Sequence, residues 1–190
     1  MNYHNITKDD MLNGDGLRVV LWVSGCHHKC NGCQNPQTWD YKSGIGFDEF
    51  AKQEIFNELQ KDYISGITFS GGDPLNYHNV VEVVKLCDEI REKYPEKTIW
   101  LYTGYKFEEI CSAILNRIDV LVDGKFEKEK EDIKYPWAGS TNQKVINLKL
   151  LREKFGHKML GYVKTLEYVQ LDFPESYKEI VMNADYKPGI

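Results

Sequence analysis

The sequence predicts an α/β domain built on a parallel sheet, and three observations carry that expectation. Four short apolar runs, at 17–24, 66–70, 98–103 and 118–122, alternate with stretches of helical period, which is the pattern of successive βαβ units. The first run is almost continuously apolar, as a strand buried on both faces requires. Each run then empties into a loop of unusual composition: the cysteine-bearing loop from Ser24 to Cys33, Gly71-Gly72-Asp73-Pro74, Thr103-Gly104, and Asp123-Gly124. In parallel α/β folds the carboxyl ends of the strands carry the site. Four such loops therefore converge on one face.

The elements follow in order. After the strand at 17–24, a helix is expected over 47–61, with Phe47, Phe50, Ala51, Ile55 and Leu59 on one face. The strand at 66–70 stops at Gly71-Gly72. A helix over 79–94 places Val80, Val83, Val84, Cys87 and Ile90 at helical spacing and meets Pro95 beyond its end. The strand at 98–103 stops at Gly104, and 107–115 reads as helical, with Phe107, Ile110, Cys111, Ile114 and Leu115 on one side. The strand at 118–122 ends at Asp123-Gly124, and the charged segment 125–136 reads as a loop. A short strand at 144–146 and a helix at 149–155 complete a core over residues 1–156. A C-terminal extension over 157–190, packed on the same domain, is expected to hold a strand at 160–166 and a helix at 174–184.

Bulk composition narrows the function. The chain has 190 residues, 42% of them hydrophobic and 28% charged, with a formal net charge of −5. No lysine or arginine run is present, so nothing points to nucleic acid. No stretch approaches the roughly 20 apolar residues that span a bilayer, and the polar, acidic start lacks the apolar segment of a secretion signal. The expected location is the cytoplasm, where thiols stay reduced and clustered cysteines serve as ligands or catalysts rather than disulfide partners.

Three of the five cysteines, Cys26, Cys30 and Cys33, fall in the loop Ser24-Gly25-Cys26-His27-His28-Lys29-Cys30-Asn31-Gly32-Cys33. Structural zinc asks for four ligands, and no second Cys-x2-Cys exists. His27 or His28 could supply the fourth only by straining tetrahedral closure within one short loop. Ferredoxin-type clusters also use four cysteines. Cys87 and Cys111 sit on apolar helix faces, where a free cysteine behaves as a small buried hydrophobe. Three thiolates on a cubane cluster would leave one iron open, the arrangement that separates a reactive centre from a structural one.

Cys-x3-Cys-x2-Cys in the loop after the first predicted strand resembles the signature of radical S-adenosylmethionine (SAM) enzymes. The resemblance implies a [4Fe–4S] cluster held by Cys26, Cys30 and Cys33, a partial (open) parallel β/α barrel of the radical SAM type, and SAM chelated at the open iron. Ser70-Gly71-Gly72-Asp73-Pro74 lies where that superfamily carries Gly-Gly-Glu. Gly71 and Gly72 would let backbone approach a ligand, and Asp73 could accept from the methionyl ammonium of SAM; Gly-Gly-Asp-Pro is also good turn chemistry. Thr103 and Asp123 resemble positions near SAM, although Asp123 could instead stabilise its own turn. His27 and His28 are read as neighbours that shield or tune the cluster, not as ligands.

More particular stretches narrow the resemblance. Asn13-Gly14-Asp15-Gly16-Leu17-Arg18, then Cys30-Asn31-Gly32-Cys33-Gln34-Asn35-Pro36 with Thr38-Trp39, then Gly139-Ser140-Thr141-Asn142-Gln143-Lys144, are similar to the branch that activates anaerobic ribonucleoside-triphosphate reductases. Gly32 stands where many members of the superfamily carry an aromatic residue. The resemblance implies a glycyl radical enzyme, the large reductase subunit, as partner, and a reductant protein such as flavodoxin or ferredoxin. An activase of the pyruvate formate-lyase type, a small-molecule enzyme such as a deazaguanine synthase, a non-catalytic iron–sulfur carrier and a structural zinc module remain as rival readings.

Overall fold

Residues 1–161 and 165–187 are described by a computed structural model of the chain. Seven strands form one open sheet: β1 (Asn2–Asp10), β2 (Leu17–Val23), β3 (Ile45–Gly46), β4 (Ile64–Gly71), β5 (Thr98–Tyr102), β6 (Val120–Asp123) and β7 (Lys144–Asn147), in the order β3-β1-β2-β4-β5-β6-β7. The parallel part expected from the four apolar runs is β2, β4, β5 and β6. The sheet as a whole is mixed. β1 runs antiparallel to β2, β3 to β1, and β7 to β6.

Alternation along these strands separates two faces. The register aligns Leu21, Phe69, Leu101, Leu121 and Ile146 in one row across five strands. All five are fully buried. Against this row pack α1 (Glu49–Leu59) through Ile55 and Leu59, α2 (Val80–Lys93) through Leu86 and Ile90, α3 (Ser112–Leu115) through Leu115, and α4 (Leu148–Phe155) through Leu151. The N-terminus of α1 is fixed by Asp48, whose side chain accepts from the Ala51 N–H at 2.9 Å. The opposite face carries Trp100, Val120, Val122 and Val145, with Tyr102 and Trp137 packed beside them and no helix residue in that cluster.

Arg18, the second residue of β2, is fully buried. Its guanidinium donates to Thr68 Oγ1, Thr98 Oγ1 and the carbonyls of Asp15, Ile67 and Thr98 at 2.7–3.0 Å. The Trp100 ring lies 5.3 Å from its carbon. Burial lowers its pKa to about 10. This one side chain ties the β1–β2 loop to β4 and β5.

Several expectations need correction. β1 is a full nine-residue strand, although its sequence is polar; only Tyr3 and Ile6 turn inward, and its pairing slips between Tyr3 and Asn5 and between Thr7 and Asp10. Residues 107–115 are not one helix. They form a short 3₁₀ turn, Phe107–Glu109, and then α3, so Cys111 stands exposed at the N-cap of α3 rather than on an apolar face. The strand expected at 160–166 is absent where described. His157–Gly161 is a 3₁₀ helix and Thr165–Asp172 is a helix, α5, while 162–164 lie outside the described residues. α6 (Pro174–Ile180) is shorter than the helix expected over 174–184, and Val181 then bridges to Ile146. Cys87 is buried in α2 as expected, and burial pushes its thiol up to about 12.

Candidate functional site

The loops that leave the parallel strands meet around a cavity of about 740 Å³. Cys26, Cys30, Cys33, Gly72, Asp73 and Thr103 all line it. The cysteine loop is tied back on itself as it leaves β2. The Gly25 N–H donates to the Thr38 carbonyl at 2.7 Å and that of Cys26 to the Trp39 carbonyl at 3.0 Å. Asn79, fully buried, joins this loop to the next: its amide donates to the carbonyls of Ser24 at 2.8 Å and Asp73 at 2.9 Å.

Each of the three sulfurs meets backbone N–H groups. The N–H groups of His28 and Lys29 point at Cys26, that of Phe126 at Cys30, and that of Asn35 reaches Cys33 Sγ at 3.4 Å. Burial nevertheless pushes the Cys26 thiol up to about 11 and raises that of Cys30. Iron ligation removes those protons, and N–H donors to the sulfurs then stabilise the thiolate and tune a cluster. Among the described residues no three His, Cys, Asp or Glu side chains form a group for a single metal ion. A four-iron cluster asks for no such group, because each cysteine ligates a separate iron.

Gly71 and Gly72 bring two loops together. Gly71 has φ +99°, and a Cβ on Gly72 would come within 2.7 Å of the Gly25 carbonyl oxygen. Hydrogen bonds from the Gly72 N–H to Val23 at 2.7 Å and from the Asp73 N–H to Gly25 at 2.8 Å fix this contact. The glycines therefore press the β4 exit against the start of the cysteine loop and line the cavity from there.

Asp73 is 1% exposed. Its Oδ1 accepts from the Leu75 N–H at 2.8 Å and its Oδ2 from the Gly104 N–H at 3.0 Å; Thr103 Oγ1 lies 3.0 Å from both oxygens. His28 Nε2 stands 2.6 Å from Oδ2. A carboxylate can only accept, so Nε2 carries the proton. Asp73 thus joins the exits of β2, β4 and β5. His28 borders the cavity, whereas His27 is exposed, within 3.3 Å of both Tyr105 Oη and Asn76 Nδ2.

Asp123 does not border the cavity. Its buried oxygens accept from the N–H groups of Phe107 at 2.9 Å and Lys144 at 3.0 Å, so it fastens the 3₁₀ turn and the start of β7. The Gly139-to-Lys144 stretch braces the far wall. Gln143 accepts from the Gly139 and Ser140 N–H groups and donates to the Gly124 carbonyl at 2.8 Å, and Asn142 donates to that of Lys125 at 2.8 Å. The charged segment 125–136, read only as a loop, contributes Phe126, Ile133 and Tyr135 to the cavity, and Lys128 crosses Gly32. Arg18 and Asn79 were missed by sequence reasoning; a charged residue inside an apolar run was the available signal for Arg18.

A sheet whose parallel strands deliver three reduced cysteines to one cavity, with N–H donors to their sulfurs, defines a class of iron–sulfur protein. The chain matches the 4Fe-4S single cluster domain family over residues 12–146. It is 46% identical to the anaerobic ribonucleoside-triphosphate reductase-activating protein of Enterobacteria phage T4, over 76% of this chain and 93% of that one. Proteins of the same name from Escherichia coli K12 and Haemophilus influenzae are 44% and 42% identical, over 78% and 79% of this chain and all of theirs. The chain belongs to the family of anaerobic ribonucleoside-triphosphate reductase-activating proteins.

Proposed function

We propose that this chain is a radical SAM activase, a glycyl-radical-generating oxidoreductase acting on the large subunit of an anaerobic ribonucleoside-triphosphate reductase. The open sheet serves as the partial barrel of that superfamily. A reduced [4Fe–4S] cluster bound in the cavity would supply the electron that splits SAM into methionine and a 5′-deoxyadenosyl radical, which would take a hydrogen atom from a glycine Cα of the reductase. Cys26, Cys30 and Cys33 hold the cluster, and the N–H groups of His28, Lys29, Phe126 and Asn35 stabilise their thiolates. Gly71, Gly72 and Thr103 form the wall against which SAM lies, and Asp73 supplies negative charge beside its ammonium. Asp123 positions that wall from behind by fixing the β6 exit. Tyr102 and Trp137 border the cavity from the sheet face whose cluster contains no helix residue among those described, and limit water around the reacting atoms.

The observation that carries this reading is the arrival of all three cysteine sulfurs in one cavity with Gly72, Asp73 and Thr103. A flavodoxin or ferredoxin supplies the electron, and the cytoplasm, which keeps free thiols reduced, is the site of action. No described helix is long and apolar enough to cross a membrane. Anaerobically reconstituted protein with SAM and dithionite is expected to release 5′-deoxyadenosine, and to give an EPR doublet when the reductase is added. Absence of SAM cleavage would overturn the reading. A radical formed only on a different glycyl radical enzyme would keep the chemistry and change the partner.

A further inference from the structure

We propose that His28 is a positioning residue that locks the cysteine loop to Asp73, setting the SAM-facing wall before SAM enters. The inference rests on the reading of this cavity as a SAM site. The His28–Asp73 contact is short, 2.6 Å, and nearly shut off from solvent, with the two side chains 5% and 1% exposed. A hydrogen bond to an ionised acceptor in such a setting is among the strong ones.

The imidazole also has a fitted socket. A Cβ on Gly104 would stand 2.4 Å from the His28 ring, so glycine is what lets the ring lie flat on the β5 exit. The Tyr105 ring meets it edge-on at 4.8 Å, and His27 covers it at 4.4 Å. These contacts pack the ring with Nε2 aimed at the carboxylate.

Asp73 is fully subscribed in this arrangement. His28, the Leu75 N–H, Thr103 and the Gly104 N–H give it four donors, about as many as a carboxylate has lone pairs to offer. Thr103 is committed as well, because its hydroxyl donates to Asp73 and accepts from the Tyr105 N–H at 3.2 Å. Of the four donors only His28 comes from the cysteine loop. It lies two residues after Cys26 and two before Cys30, so the same contact sets both ligands against the SAM wall. Losing it would leave a buried carboxylate short of a donor and free the middle of the loop.

The test compares His28→Leu, which keeps bulk and removes the donor, with His28→Gln, whose amide nitrogen can reach the position of Nε2. Hydrogen–deuterium exchange over residues 24–35, read before SAM is added, is expected to speed up in the leucine variant and return close to wild type in the glutamine variant. The dissociation constant for SAM, measured by equilibrium dialysis on the cluster-loaded proteins, is expected to rise about ten- to a hundredfold in the leucine variant, the usual loss when a ligand-orienting partner is removed. The glutamine variant should recover most of it. Wild-type exchange in His28→Leu, or a glutamine variant as impaired as the leucine one, would overturn the proposal. Wild-type protein with a protected loop and no SAM binding would instead overturn the cofactor reading, while the exchange data alone supported the lock.

Discussion

The two faces of the sheet are built on opposite terms. The row Leu21, Phe69, Leu101, Leu121 and Ile146 is aliphatic and aromatic, wholly buried, and covered by helices. On the other face of the same strands stand Arg18, Thr68, Ser70, Trp100 and Tyr102, and among the described residues the cluster on that face contains no helix residue. The first face is a packing problem whose answer depends on size and hydrophobicity. The second holds a buried cation with no carboxylate among its hydrogen-bond partners, and opens toward the cavity in which the cysteines meet. A single alternating strand thus carries the fold on one side and the chemistry on the other.

Breaking the chemical side at its centre should have the largest effect on function and little on folding. Alanine at Cys26, Cys30 or Cys33 is expected to drop iron from about four atoms per chain to near none and abolish 5′-deoxyadenosine release. The circular dichroism of the folded sheet should persist. Leu101→Ala should do the reverse, costing about 2–5 kcal/mol of stability in urea unfolding while leaving the cysteines able to take up iron under folding conditions. Arg18→Met tests whether the second face also holds itself together. It strands acceptors on Thr68, Ile67 and Thr98, and a loss of about 2–4 kcal/mol is expected from those buried groups; a stable variant would show the cation to be dispensable there.

How much of this was legible follows the same division. β2 could be read because a strand buried on both sides is almost continuously apolar, β4, β5 and β6 because short apolar runs alternate with stretches of helical period, and the cysteine spacing announced its chemistry. β1 could not be read, since only Tyr3 and Ile6 face inward and two register slips break its alternation. The run near residue 160 was read as a strand because a short apolar stretch has no period to separate strand from helix. Arg18 was absorbed into an apolar run most of whose members are buried, as it is itself. Asp73 was legible as a carboxylate at a site, but its closure by His28 and Thr103 joins positions 45 and 30 residues away in sequence, which no local pattern encodes.

Smaller perturbations sharpen the comparison further. Burial holds the Asp123 carboxyl above its ordinary value, opposed by the N–H groups of Phe107 and Lys144. The native state therefore keeps a proton that the unfolded chain has already released, and this group's contribution to stability falls as pH rises from the ordinary carboxylate value through the raised one. Asp123→Asn removes that fall, so its stability deficit in thermal melts should be widest at acid pH and narrow as pH rises. Cys111→Ser should change least. It is exposed at the N-cap of α3, and a shift within about 0.5 kcal/mol is expected, with unchanged iron content.

The central claim is that the cavity presents a three-cysteine cluster with one iron left for SAM. The EPR spectrum of the dithionite-reduced, cluster-loaded protein tests it most directly, recorded with and without SAM. A signal whose g-values shift on adding SAM is the predicted result, and a spectrum indifferent to SAM would contradict it.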